Sequence, residues 1–126
     1  MSKVVTYSAL LTGGTALTLA AATETDVISA DNTAPDTNGI DVSTADDFFM
    51  ILKNTGASDI ETVTMYRSPL GTNFNAVGQN LGPVAAGSQI DVRENDLTGS
   101  RLRVTATSAA GTTLVVEVRV TRTTLP

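Results

Sequence analysis

The chain has 126 residues, 41% of them apolar and 17% charged, with a net charge of -5 and neither cysteine nor histidine. A length of this order fits one domain, and the missing residue types exclude disulfides, thiol nucleophiles, imidazole bases and nearly every transition-metal site. The acidic balance opposes a phosphate backbone, so nucleic acid is not an expected partner.

Thr and Val are abundant, Trp is absent and aromatic residues make up 4%. Side chains branched at Cβ suit a pleated surface better than a helix, so the chain reads as all-β with a core of Val, Leu, Ile and Ala. Residues 1–22 imitate a secretory leader, with Lys3 near the start and Ala20-Ala21-Ala22 at the end. Thr6, Tyr7, Ser8, Thr12, Gly13, Gly14 and Thr15 interrupt the apolar run, which favours strands over a leader. No stretch approaches the ~20 apolar residues of a membrane-crossing helix, and no membrane partner is expected.

Residues 3–8 alternate as a first strand, Gly13-Gly14 breaks it, and residues 15–20 alternate again. Residues 23–47 carry Glu24, Asp26, Asp31, Asp36, Asp41, Asp46 and Asp47 with no Lys or Arg among them. Turn formers such as Pro35 and Asn38-Gly39 mark this stretch as an acidic surface excursion, with a brief strand at residues 39–42. Residues 48–53 form an apolar run ending in Lys53, the pattern of a strand covered on both faces. A turn at 54–59 leads to a strand at 60–66, a loop at 67–80, a turn at 83–88, a short strand at 89–93 and a turn at 95–100.

The last two strands alternate most clearly, with Leu102, Val104 and Ala106 in one row and Leu114, Val116, Val118 and Val120 in the other. As a hairpin around residues 108–111 they would set Arg101 opposite Glu117. Short strands separated by turn signals, with no helical period and no repeat, predict an antiparallel β-sandwich, jelly-roll or Ig-like, or a small barrel. The expected organisation is a single domain, with an N-terminal arm with strands at 1–22, an acidic surface loop at 23–44 and the sandwich core at 45–126.

Several groupings imitate chemical sites. Asp31, Asn32, Asp36, Asn38 and Asp41 crowd oxygen ligands as a calcium loop does, but Ile40 occupies a ligand position and no Glu closes the loop. Asp36-Thr37-Asn38-Gly39 departs from the aspartic protease triplet by an inserted Asn and has no second copy. Thr12-Gly13-Gly14-Thr15 lacks the Lys of a phosphate loop. Arg101, Arg103, Arg119 and Arg122 are read as sharing a solvent face with Glu117, either simply solvated or facing an acidic partner. No catalytic residue, cofactor site or metal site is assigned, and the chain is not expected to be an enzyme.

The order of these features resembles the small β-sandwich head decoration, or cement, proteins of tailed bacteriophages. The matching pieces are the Thr/Ala-rich opening with Leu17-Thr18-Leu19-Ala20-Ala21-Ala22, the strand and turn from Phe49 through Lys53-Asn54-Thr55-Gly56-Ala57-Ser58, Glu61-Thr62-Val63-Thr64-Met65, Leu81-Gly82-Pro83-Val84-Ala85-Ala86-Gly87, Arg103-Val104-Thr105-Ala106-Thr107, and the closing strand at 115–122. The resemblance implies a virion protein on the capsid exterior. It would form a homotrimer, bind the major capsid protein and bridge neighbouring capsomers without catalysis. On that reading Lys3, Val4, Val5 and Tyr7 add a strand to a neighbour, and Phe48 and Phe49 meet a sister subunit. Asp31 and Asp36 would meet a basic shell surface. A phage tail or fibre binding module and a bacterial surface adhesion module are the alternatives.

Overall fold

A computed structural model describes residues 2–8, 16–28, 40–41, 45–68, 78–94 and 101–124. The strands are β1 (Ser2–Ser8), β2 (Leu17–Leu19), β3 (Thr25–Ile28), β4 (Ile40–Asp41), β5 (Ala45–Asn54), β6 (Thr62–Ser68), β7 (Gln79–Asn80), β8 (Gln89–Glu94), β9 (Arg101–Thr107) and β10 (Thr112–Thr124). They form two antiparallel sheets. The first, sheet A, has the order β1-β10-β5-β8 with β2 also on β10; the second, sheet B, has the order β3-β9-β6-β7 with β4 also on β9.

Each sheet has a long inner strand edged by two shorter pieces. β1 pairs with Val118 through Thr124 of β10, and β2 with Thr112 through Leu114. In the same way β3 lies along the Val104 to Ala106 part of β9 and β4 along Arg101 and Leu102. Counting each divided edge as one strand leaves eight strands in two four-stranded sheets, and the chain passes from one sheet to the other at every connection except β6 to β7. This is the connectivity of a jelly roll. The sheets are open, so the β-sandwich reading stands and the small-barrel alternative does not.

The core lies between the sheets. Alternation in β5 sends Phe48, Met50, Leu52 and Asn54 inward, and alternation in β10 sends Leu114, Val116 and Val118 the same way. Opposite them stand Val63 and Met65 of β6 and Leu102, Val104 and Ala106 of β9. β3 buries two consecutive residues, Val27 and Ile28, because its register slips by one between Asp26 and Ile28. The bulge turns the extra residue inward without losing the pairing on either side.

The expected hairpin between the last two strands is not formed. β9 and β10 lie in different sheets, Arg101 is opposite Ser68 and Asp41, and Glu117 is opposite Ile51. Both arrangements bury the same alternating rows. In the sandwich those rows face each other across the core instead of lying side by side. The strand at residues 48–53 is likewise covered on one face only: Phe49 and Ile51 are half-buried on the outer side of sheet A, and Lys53 is exposed there.

One end of the sandwich is held by a polar cluster around Asn54, which is 1% exposed. Its side-chain amide donates to the carbonyls of Ser58 and Val84 at 2.8 and 3.1 Å, while its side-chain carbonyl accepts from the Gly56 amide and the Thr112 hydroxyl. Every polar side-chain atom is thus satisfied, which is the condition for burying an amide at low cost. Gly56 is needed here because a Cβ would stand 2.0 Å from Thr112 Oγ1 and 2.7 Å from the Thr113 amide. Gly111, at φ 82°, turns the chain from β9 towards β10 in the left-handed region that glycine adopts without strain. The Ser108 hydroxyl donates to the Asp59 carbonyl at 2.6 Å, and Ala22 donates to the Ser108 carbonyl at 2.8 Å, joining three connections.

Candidate functional site

The described surface offers two sheet faces. On the outer face of sheet B, Thr64 and Tyr66 of β6 lie beside Arg103 and Thr105 of β9, with Asp26 of β3 on the far side. Arg103 donates through Nε to Asp26 Oδ1 at 2.6 Å and through its terminal nitrogen to Oδ2 at 3.4 Å. Its guanidinium also sits 5.3 Å from the centroid of the Tyr66 ring. The Tyr66 hydroxyl and the Thr105 hydroxyl both donate to Glu24 Oε2, at 3.2 and 3.1 Å.

These contacts shift two ionisations. The hydrogen bond to Asp26 raises the Arg103 guanidinium above its already high ordinary value, against the opposing effect of burial. The Tyr66 phenol is raised by burial first and then by the Glu24 carboxylate, since both disfavour the phenolate. The face is therefore a cation, a phenol and two carboxylates that satisfy one another. Asp26, only 8% exposed in its side chain, has little left to offer a partner.

The outer face of sheet A is built differently. Asp47, Phe49, Ile51 and Lys53 of β5 run down its middle, flanked by Val115, Glu117 and Arg119 of β10 and by Gln89, Asp91 and Arg93 of β8. Arg93 reaches Asp47 at 3.1 Å while remaining 66% exposed. Arg119 stacks 5.4 Å from the Phe49 ring centroid, and its Nε is buried without a hydrogen-bond partner. At the far end of the sandwich from Asn54, Arg67 of β6 and Glu94 of β8 close the gap between the sheets at 2.6 Å.

Lys3, Val4, Val5 and Tyr7 lie in β1, opposite Thr123, Arg122, Thr121 and Arg119 of the same chain. Phe48 is 0% exposed and faces the core, so its role is packing; its neighbour Phe49 is the outward one. Asp31 and Asp36, and with them most of the calcium-like loop, lie outside the described residues. Of the four arginines, Arg119 shares a face with Glu117 and Arg103 does not. Arg103 is on sheet B, Arg119 and Glu117 are on the outer side of sheet A, and Arg101 and Arg122 belong to β9 and β10 respectively.

Sequence reading missed β3 and the Glu24–Asp26–Arg103 network. The stretch 23–47 has no cation of its own, but Asp26 and Asp47 receive theirs from Arg103 and Arg93, far along the chain. The available signal was Val27-Ile28, two β-branched residues inside an otherwise polar segment. Among the described residues no group of three or more acidic side chains is placed to hold a metal ion.

No protein-family model and no curated relative matches this sequence. Among solved structures, the SPBc2 prophage-derived protein YomS matches with a TM-score of 0.53 at 9% identity, over 96% of this chain and 96% of that one. The coat protein of Tobacco streak virus matches with a TM-score of 0.51 at 7% identity, over 98% of this chain and 88% of that one. At such identities the shared property is the fold.

Proposed function

We propose that this chain is a structural protein of a virus particle, and more narrowly a decoration protein that binds the outer surface of a phage head and bridges its capsomers. The observation that carries the reading is the topology, β1-β10-β5-β8 against β3-β9-β6-β7, in a sandwich whose fold is similar to a prophage-derived protein and a virus coat protein. One fold hosts many functions, and the surface supplies a second support. The outer face of sheet A carries charged side chains on three neighbouring strands, a form suited to lateral contacts in a lattice. Many weak identical contacts add up there. The contact with the major capsid protein, and the homotrimer assembled on the shell, belong to this proposal.

The test is gradient sedimentation of lysate from the native source, with the chain followed by antibody and counted against the shell protein. Travel with capsid-sized particles, at a copy number comparable with the shell protein, is the expected result. A few copies per particle would replace the proposal with a tail or fibre module. Absence from all particles would overturn the virion reading in favour of a cell-surface module.

A further inference from the structure

The outer face of sheet A carries a charge pattern that reverses sign under a half-turn. Phe49 lies level with Arg119 on one side and Arg93 on the other, and Ile51 lies level with Glu117 and Asp91. A cation–aromatic–cation row therefore stands beside an anion–aliphatic–anion row, about 7 Å further along the strands. Beyond these rows, β5 places Asp47 on the cationic side and Lys53 on the anionic side. A half-turn about the line between the rows exchanges Arg119 with Glu117, Arg93 with Asp91 and Asp47 with Lys53.

Two further observations set this face apart. On β8, β5 and β10 the three cations and three anions of this face cancel, although the whole chain carries -5. Among the described residues, neither Arg119 nor Glu117 has an ion-pair partner, whereas Arg103 of sheet B is engaged with Asp26.

We infer that this face binds a second copy of the same chain, the two sheets meeting face to face about a two-fold axis that runs between the Phe49 and Ile51 rows, perpendicular to the strands. Phe49 of each copy then covers Ile51 of the other. Arg119 meets Glu117, and Arg93 and Asp47, already paired with each other within the chain, meet Asp91 and Lys53 of the other copy, each contact occurring twice as two-fold symmetry requires. Moving the axis onto either row sets arginine against arginine or acid against acid, so the pattern also selects the register. Three strands and seven residues give a footprint of roughly 350 Å². That is well below the ~800 Å² per partner of a stable interface, so the association is weak and concentration-dependent.

The experiment is analytical ultracentrifugation of the purified full chain at low salt over a wide concentration range. It uses no capsid and stands or falls separately from the virion reading. The wild type should show a monomer–dimer equilibrium, and R119E and E117R should each weaken it by ~10-fold or more. Mixing the two variants should restore dimers containing one copy of each, seen by isotopic labelling of one of them. In that mixed pair one copy presents acids at both positions and the other bases at both, so every contact joins opposite charges; a fold defect cannot be rescued this way. E117R changes an exposed residue, and its circular dichroism should match the wild type. A wild type that stays monomeric at its highest soluble concentration, a trimer insensitive to both substitutions, or a mixture that does not pair would each overturn the proposal.

Discussion

The two outer faces of the sandwich are made from the same kinds of residue and differ in how those residues are used. On sheet B, Arg103, Asp26, Glu24, Tyr66 and Thr105 close a network within the chain. On sheet A, Arg119 and Glu117 stand without ion-pair partners among the described residues, around an apolar centre of Phe49 and Ile51. The difference teaches that a charge satisfied inside the chain contributes to stability, while one left without an ion-pair partner on an outer face remains open to a contact from another molecule. Composition alone does not separate the two.

The comparison breaks first where both faces share a support. Phe48 is fully buried in the core between the sheets, so Phe48→Ala should cost about 3–5 kcal/mol in urea unfolding and loosen both faces together. A smaller and one-sided effect is expected from Asp26→Ala, which strands the Arg103 guanidinium, itself 21% exposed in its side chain. The loss should be about 1–2 kcal/mol by the same measurement, with association through sheet A unchanged.

Alkaline titration sharpens the contrast further. The folded state raises the Tyr66 phenol above its ordinary value of 10.0, so the unfolded chain loses this proton first. The contribution is therefore complete below pH 10.0 and is lost as pH rises through the folded value. Ultraviolet titration should show one phenol ionising late, and Tyr66→Phe should remove that late step. The stability difference between wild type and Tyr66→Phe should change only in this alkaline window. The smallest effect belongs to sheet A: Glu117→Ala should alter monomer stability by no more than about 0.5 kcal/mol, since the side chain is exposed and has no ion-pair partner among the described residues. A large loss there would mean that this face, too, is satisfied from within.

Much of the fold was legible because alternation is a local property. Val63 and Met65, Leu102, Val104 and Ala106, and Leu114, Val116 and Val118 all stand on the inner faces as their spacing predicts. The brief strand predicted at 39–42 is present as β4. What alternation does not carry is the identity of the partner strand. The rows of β9 and β10 bury equally well side by side or face to face, and the hairpin expectation failed for that reason. β3 was hidden because four residues in an acidic context give too short a pattern, and because a bulge makes Val27 and Ile28 break the alternation that would have revealed them.

The candidate surfaces divide the same way. The sequence by itself determined the all-β class, the apolar rows, the turns at Asn54 and Gly111, and the exclusion of thiol and imidazole chemistry, because each depends on residue type or on neighbours a few positions away. Only the tertiary structure decided that Phe48 is core while Phe49 is surface, that Asp26 and Asp47 draw their cations from β9 and β8, and that Arg119 and Arg103 lie on opposite outer faces. Those outcomes depend on which strands lie side by side, and pairing is settled by burying two whole sheets against each other rather than by any one segment.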